Sequence, residues 1–271
     1  MRSLASIAAA ATALVALPEC NDVIGITSLS VAPSSDDAGA DATGDWCAVH
    51  APDATACEDF DGPNGFASGG WSAPIGSSAE NGVLDDAAFR SPPRALTVSS
   101  PALPSGARPA QWYIAHPFPE SRRVSLAFDA RIDTRDPDGA YVTLADIALA
   151  GAPPSEGTHV SITYDRVGLH IIVLQTQQPV VDHTLAASPA IVIGAWARIE
   201  LNVERDSDGG AGAVVSVRLD GHAVMLADGT PAARFLVAGA GNTTVILGAG
   251  FVSSPSIAQV VHIDDAVIDL R

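Results

Sequence analysis

From Val124 onward the chain repeatedly alternates apolar and polar residues with a period of two, the pattern of strands that bury one face and wet the other. In the segment RRVSLAFDARID, Val124, Leu126, Phe128, Ala130 and Ile132 fall on one side, and Ser125, Asp129, Arg131 and Asp133 on the other. HVSITYD groups Val160, Ile162 and Tyr164, and WARIELNVE sets Ile199, Leu201 and Val203 against Arg198, Glu200, Asn202 and Glu204. The same reading predicts strands over 141–150, 168–176, 214–219, 243–247 and 260–268. Asp136-Pro137-Asp138-Gly139, Asp206-Ser207-Asp208-Gly209-Gly210 and Asp220-Gly221 supply turn chemistry between them. No stretch after Cys20 sustains a 3.6-residue apolar period. Many short strands joined by turns predict an all-β, mostly antiparallel sandwich or closed barrel.

The first residues read differently. Arg2 precedes an apolar run from Leu4 to Leu17, shorter than the about 20 residues that a membrane-spanning helix needs. Residues 1–19 therefore read as a secretory signal peptide. The run closes at Leu17-Pro18-Glu19-Cys20, which resembles a bacterial lipobox in the leucine three before the cysteine and departs from it at Pro18 and Glu19, where small residues are usual. A lipid on Cys20 is the expected anchor, with simple cleavage and release as the alternative. Cysteine arithmetic agrees: of three cysteines, Cys47 and Cys57 make the natural disulfide in an oxidising compartment, and Cys20 is left over. Closing so short a loop stabilises by about 3 kcal/mol in the chain-entropy model. Residues 28–45, SLSVAPSSDDAGADATGD, hold too little apolar surface to offset their ordering entropy. Residues 20–45 are read as a lipid-anchored flexible tether, its 28–45 part reaching roughly 20 to 25 Å. The sandwich occupies 46–271, enough chain for one core.

Charge narrows the chemistry. The formal net charge is −17, and all 14 basic residues are arginine, because the chain contains no lysine. A P-loop and a Schiff base both need a lysine, so both are excluded. Nucleic acid is excluded as a partner, since a polyanion gains no counterion release from so acidic a surface.

Several short motifs then coincide: Cys57-Glu58-Asp59-Phe60-Asp61 followed by Gly70-Trp71, Trp196 opening ARIELNVE, Arg218-Leu219-Asp220-Gly221, and His262-Ile263-Asp264-Asp265-Ala266-Val267. Together they resemble the concanavalin-A-like or laminin-G-like jelly-roll modules of exported bacterial lipoproteins, over nearly all of 46–271. The resemblance implies two stacked antiparallel sheets with the first and last strands adjacent. It also implies a structural Ca²⁺ where those strands meet, with Glu58, Asp59, Asp61, Asp264 and Asp265 as the candidate ligands. Ordinary hydrogen bonding of these carboxylates is the alternative. In the last strand Asp264 and Asp265 point to opposite faces, so one of them must be buried and must meet an arginine, backbone N–H groups or a cation.

The search for catalytic residues returns none. The string Glu204-Arg205-Asp206-Ser207-Asp208 lacks the second glutamate of a retaining glycosidase pair and runs into a turn. Jelly-roll lyases resemble one another in a Tyr-x-Lys strand motif that a chain without lysine cannot fill. No Gly-x-Ser-x-Gly elbow is present. The seven histidines do not fall at zinc-site spacing, and the acidic turns at 133–139 and 204–210 lack the glutamate of a calcium loop. Trp71 and Trp196 match core positions of the resembled family. Trp112, Tyr113 and Tyr141 remain as candidate glycan-stacking residues, with at least one of the adjacent pair Trp112 and Tyr113 facing outward and with core or sheet-face packing as the alternative for each.

The expectation is thus a non-catalytic, lipid-anchored module of the cell envelope, at the outer membrane or cell surface, or else secreted. Its partners would be a lipid membrane and a glycan or another envelope protein. Two alternatives stay open: a divergent glycan-active hydrolase or lyase of the same fold, and a purely structural envelope protein. The anchor gives the first prediction. Cys20→Ser should move the exported protein from the detergent phase to the aqueous phase in a phase-partition assay, since acyl chains supply most of such membrane affinity; a wild-type protein already in the aqueous phase would refute the lipid.

Overall fold

A computed structural model describes residues 46–62, 70–72, 75–76, 81–149, 157–175, 181–185, 191–206, 212–237 and 241–271. The signal peptide, Cys20 and the tether lie outside the described residues. One helical turn, α1 (Trp46–His50), precedes the strands. In chain order these are β1 (Ala56–Glu58), β2 (Ile75–Gly76), β3 (Asn81–Asp85), β4 (Ala95–Ser100), β5 (Ala110–Phe118), β6 (Arg123–Ile132), β7 (Val142–Leu149) and β8 (Thr158–Tyr164). They continue as β9 (Leu169–Gln175), β10 (Val181–Thr184), β11 (Trp196–Arg205), β12 (Gly212–Leu219), β13 (His222–Val224), β14 (Ala233–Leu236), β15 (Thr243–Val252) and β16 (Gln259–Leu270).

The strands form two antiparallel sheets, so the all-β sandwich read from the alternation is the observed architecture. The first sheet runs β13-β12-β11-β6-β16-β4-β3, with β1 on β16 and β14 on β12; the second runs β10-β9-β8-β7-β15-β5-β2. Val124, Leu126, Phe128, Ala130 and Ile132 of β6 are all buried, as are Val160, Ile162 and Tyr164 of β8 and Ile199, Leu201 and Val203 of β11. Ser125, Arg131, Arg198, Glu200 and Asn202 stay partly exposed while Asp129, Ser161 and Thr163 are covered, and each strand delivers one apolar row to a shared core. The Asp220-Gly221 pair turns β12 into β13 with both residues at positive φ, 49° and 74°, as a two-residue hairpin requires.

Trp112 takes the packing alternative. It belongs to the core, at 6% exposure, and not to a ligand-facing surface. Its ring lies against the backbone of Gly82 in β3, across the sandwich, where any Cβ would overlap the indole. Trp71 is likewise buried, as expected, whereas Trp196 is only partly so.

The two ends of the domain meet as the resemblance implied. β1 pairs with β16, placing Glu58 opposite Ala266, and α1 is fastened to β1 by the Cys47–Cys57 disulfide. Alternation along β16 predicts one buried carboxylate of the Asp264-Asp265 pair, yet both are buried, at 0% and 1%. A bulge in the β16–β6 pairing between Asp264 and Val267, with Asp265 at φ +48°, turns both side chains inward.

Their partners are protein groups. Asp264 Oδ2 accepts the backbone N–H groups of Arg90 (2.8 Å) and Ser91 (3.0 Å), and its Oδ1 that of Asp265 (3.0 Å). Ser91 Oγ donates to Asp265 Oδ1 at 2.6 Å, and Arg198 bridges Asp129 and the Asp265 carbonyl. Glu58 Oε1 accepts the Phe60 N–H at 3.1 Å, Asp59 the Asp61 N–H at 3.1 Å, and Asp61 the Arg94 N–H at 2.9 Å. Glu58, Asp59, Asp61, Asp264 and Asp265 thus meet N–H and O–H donors, as the hydrogen-bonding alternative has it, and among the described residues no group of three or more His, Cys, Asp or Glu is arranged to hold a metal.

Burial sets the protonation of this joint. Desolvation pushes Glu58 up to about 7, with the charges of Asp59 and Asp61 adding to it. Burial also raises Asp264 and Asp265, and their mutual repulsion keeps a proton on the pair. A carboxyl whose folded pKa exceeds its unfolded value contributes stability that is present below the unfolded pKa and lost as pH rises through the folded one. For Glu58 that window runs from its ordinary 4.5 to about 7. The melting temperature should therefore fall as pH rises across that window, and Glu58→Gln, which keeps an acceptor for Phe60, should flatten the fall. A melting temperature that climbs across it, unchanged by the substitution, would contradict this account.

Candidate functional site

Since inward rows are committed to the core, chemistry on the second sheet is confined to its outward rows. Those rows converge on a groove of about 380 Å³ across the middle of the sheet. β5 contributes Gln111 and Tyr113, β7 Thr143 and Asp146, β8 His159, Ser161 and Thr163, β9 Ile172 and Leu174, and β15 Ile246, Gly250 and Phe251, with Tyr141 just ahead of β7.

At the centre, register creates an acid–histidine pair. Asp146 lies opposite Ser161, and Ala148 lies opposite His159. The small Ala148 side chain lets the imidazole lean diagonally, so that Nδ1 sits 3.2 Å from both carboxylate oxygens of Asp146. A carboxylate only accepts, which makes Nδ1 the N–H donor and directs the lone pair to Nε2 on the opposite ring edge. Ser161 Oγ donates to Asp146 Oδ2 at 2.9 Å and fixes the carboxylate from its other side. The serine bonds to the aspartate and not to the histidine, so this is not a serine nucleophile with its base. The pair is partly sheltered, with side-chain exposures of 24% for His159 and 14% for Asp146.

Tyr113 and Tyr141 line the same groove, Tyr141 at the other end of β7 from Ala148, which faces His159. Tyr141 stacks on Phe251 with ring centroids 5.3 Å apart and planes 16° from parallel, and its backbone N–H donates to Ser253 Oγ at 2.9 Å. Burial raises its hydroxyl pKa, so it stays a proton donor at neutral pH. Tyr113 projects from β5 opposite Gly248, a residue at φ +128° where a Cβ would come within 2.6 Å of the Trp112 carbonyl oxygen. Only glycine lets β15 approach β5 closely enough to seat Tyr113 beside the β7 and β8 rows.

Of the three stacking candidates, the groove therefore takes Tyr113 and Tyr141 and the core takes Trp112. The search for catalytic residues missed Asp146 and His159. They lie in separate strands and meet only through pairing, and the one local signal is Asp146, a charged residue within the largely apolar VTLADIAL, since His159 shares its row with Ser161 and Thr163.

No family model and no curated protein matches the sequence. Solved structures do share the fold. The endo-β-1,4-glucuronan lyase of the fungus Trichoderma reesei superposes with a TM-score of 0.57 over 80% of this chain and 96% of that one, at 12% identity. The cellulose-induced protein Cip1 gives 0.53 over 78% of this chain and 95% of that one, at 17% identity. The likeness is one of fold: a two-sheet, jelly-roll-like sandwich.

Proposed function

We propose that this chain is a glycan-active enzyme that cleaves a uronate-containing polysaccharide by β-elimination in the groove of the second sheet. The observation that carries the proposal is the imidazole of His159, oriented by Asp146, in an open groove on rigid strands that two tyrosines also line. The fold shared with a glucuronan lyase supports the same reading over a non-catalytic module. His159 Nε2 takes the C5 proton, α to the carboxyl carbon. The electron pair of that C–H bond forms the C4=C5 double bond as the C4–O glycosidic bond breaks, and the departing oxygen takes a proton from the hydroxyl of Tyr113 or Tyr141. Asp146 holds the imidazolium that forms. The step needs neither water nor a second carboxylate, in keeping with a groove that offers one acid–histidine pair and a largely apolar wall. Export and a lipid on Cys20 belong to the same proposal, supported by the apolar leader and the lipobox-like Leu17–Cys20 segment; they would place the groove on extracellular polymer.

Incubation with a panel of uronate polysaccharides should release unsaturated oligosaccharides, read by their ultraviolet absorbance. His159→Gln should lower kcat by about 10²- to 10⁴-fold, the usual share of a general base. Tyr113→Phe and Tyr141→Phe identify the acid, since only its loss should remove turnover while leaving substrate binding intact. Saturable binding without any unsaturated product would return the chain to the non-catalytic class.

A further inference from the structure

We infer that the groove takes uronate units whose carboxyl groups are esterified, and so uncharged, in preference to free polyuronate; this rests on the elimination reading above. The argument starts from what the chain lacks. It has no lysine, and every arginine after Arg2 falls among the described residues. None of those arginines lines the groove. The stretches of 46–271 outside the described residues contain no arginine either, so no loop there can bring a guanidinium over the site. The cationic capacity of the site is His159 alone, and it faces Asp146 at 3.2 Å.

A free polyuronate brings one negative charge per sugar to a protein of formal charge −17 and to a groove that already holds a carboxylate. Seating that charge against Ile172, Leu174, Ile246 and Phe251 strips its hydration and returns no ion pair. Elimination worsens the mismatch. Removing the C5 proton beside a carboxylate develops a second negative charge on the same carboxyl group, and no arginine or lysine lines the groove to stabilise it.

An ester reverses each term. It arrives neutral, it acidifies the C5–H more than a carboxylate does, and the single charge that develops on its carbonyl oxygen can be met by a neutral donor. The Gln111 carboxamide is such a donor on the groove wall. The apolar side chains, among them Leu174 at 44% exposure, then face the ester alkyl group instead of a hydrated anion. The elimination itself is unchanged: proton to His159, C4–O bond broken, C4=C5 formed, ester retained.

The test uses the full chain on glucuronan and polygalacturonate, each as the free acid and as its methyl ester. Unsaturated product should form at least about tenfold faster on the esters, and saponifying the ester before assay should abolish the difference. A free acid cleaved as fast as its ester, or faster, overturns this inference and leaves the lyase intact. No unsaturated product from either form of either polymer overturns both. Leu174→Arg, at an exposed wall position, supplies the missing guanidinium and should lower the ester-to-acid ratio of kcat/KM by about fivefold or more, as a partly exposed ion pair allows. A ratio unmoved by a Leu174→Arg protein that melts like wild type would count against charge as the cause of the preference.

Discussion

Two sheets have to bury each other's inner faces, and the rest of the molecule follows from that. Each fully buried leucine, isoleucine or phenylalanine contributes roughly 1.5–3 kcal/mol, so a strand that turned its apolar row outward would lose more than any surface contact could restore. Phe128, Leu126, Ile162 and Ile199 are therefore fixed inward. With a side-chain period of two, fixing them also fixes which residues face out. The outward rows of β7, β8 and β5 inherit Asp146, His159 and Tyr113 as a consequence of register. The groove is thus as rigid as the core beneath it, which is the condition for holding an acid–histidine pair at hydrogen-bond distance.

The same constraint explains the buried carboxylates. β16 is central to the first sheet, paired on one side with β6 and on the other with β4 and β1, and it cannot expose an unpaired polar row. The bulge at Asp264–Val267 gathers its two aspartates where Arg90, Ser91 and Arg198 can meet them. Desolvation disfavours the charged forms there, and the donors offset it only in part, so the joint is held together most firmly when protonated. What it secures is long-range: contacts between residues about 174 apart in sequence, tying the β3–β4 connection to the last strand.

Legibility from sequence follows the same physics. Strands with one polar face, β6, β8 and β11, announce themselves by alternation, and their inward residues are the ones read from the pattern. β4 does not, because Ala95, Leu96, Thr97 and Val98 are all buried and the period vanishes. β1 and β2 are too short to show any period. Which of Trp112 and Tyr113 faces out depends on Gly82, thirty residues upstream in the other sheet. The aspartate pair was misjudged because a bulge breaks the parity argument at one point. Asp146 and His159 are legible only after β7 and β8 are paired, since nothing local links two residues thirteen apart.

Fold and charge can be separated in this molecule, and that bears on how similar sandwiches come to treat different polymers. The sheet geometry shared with a glucuronan lyase sets which rows of residues face the groove, but not what charge they carry. That is left to the outward residues, which can change without disturbing the core. Here Asp146 has two opposed effects. It orients the His159 imidazole through Nδ1, and its charge repels an anion from the same groove. In a site with arginines the second effect is hidden. In a chain without lysine, with its arginines elsewhere, it would dominate, so under the elimination proposed above the residue that orients the base also restricts the charge of what can enter the groove.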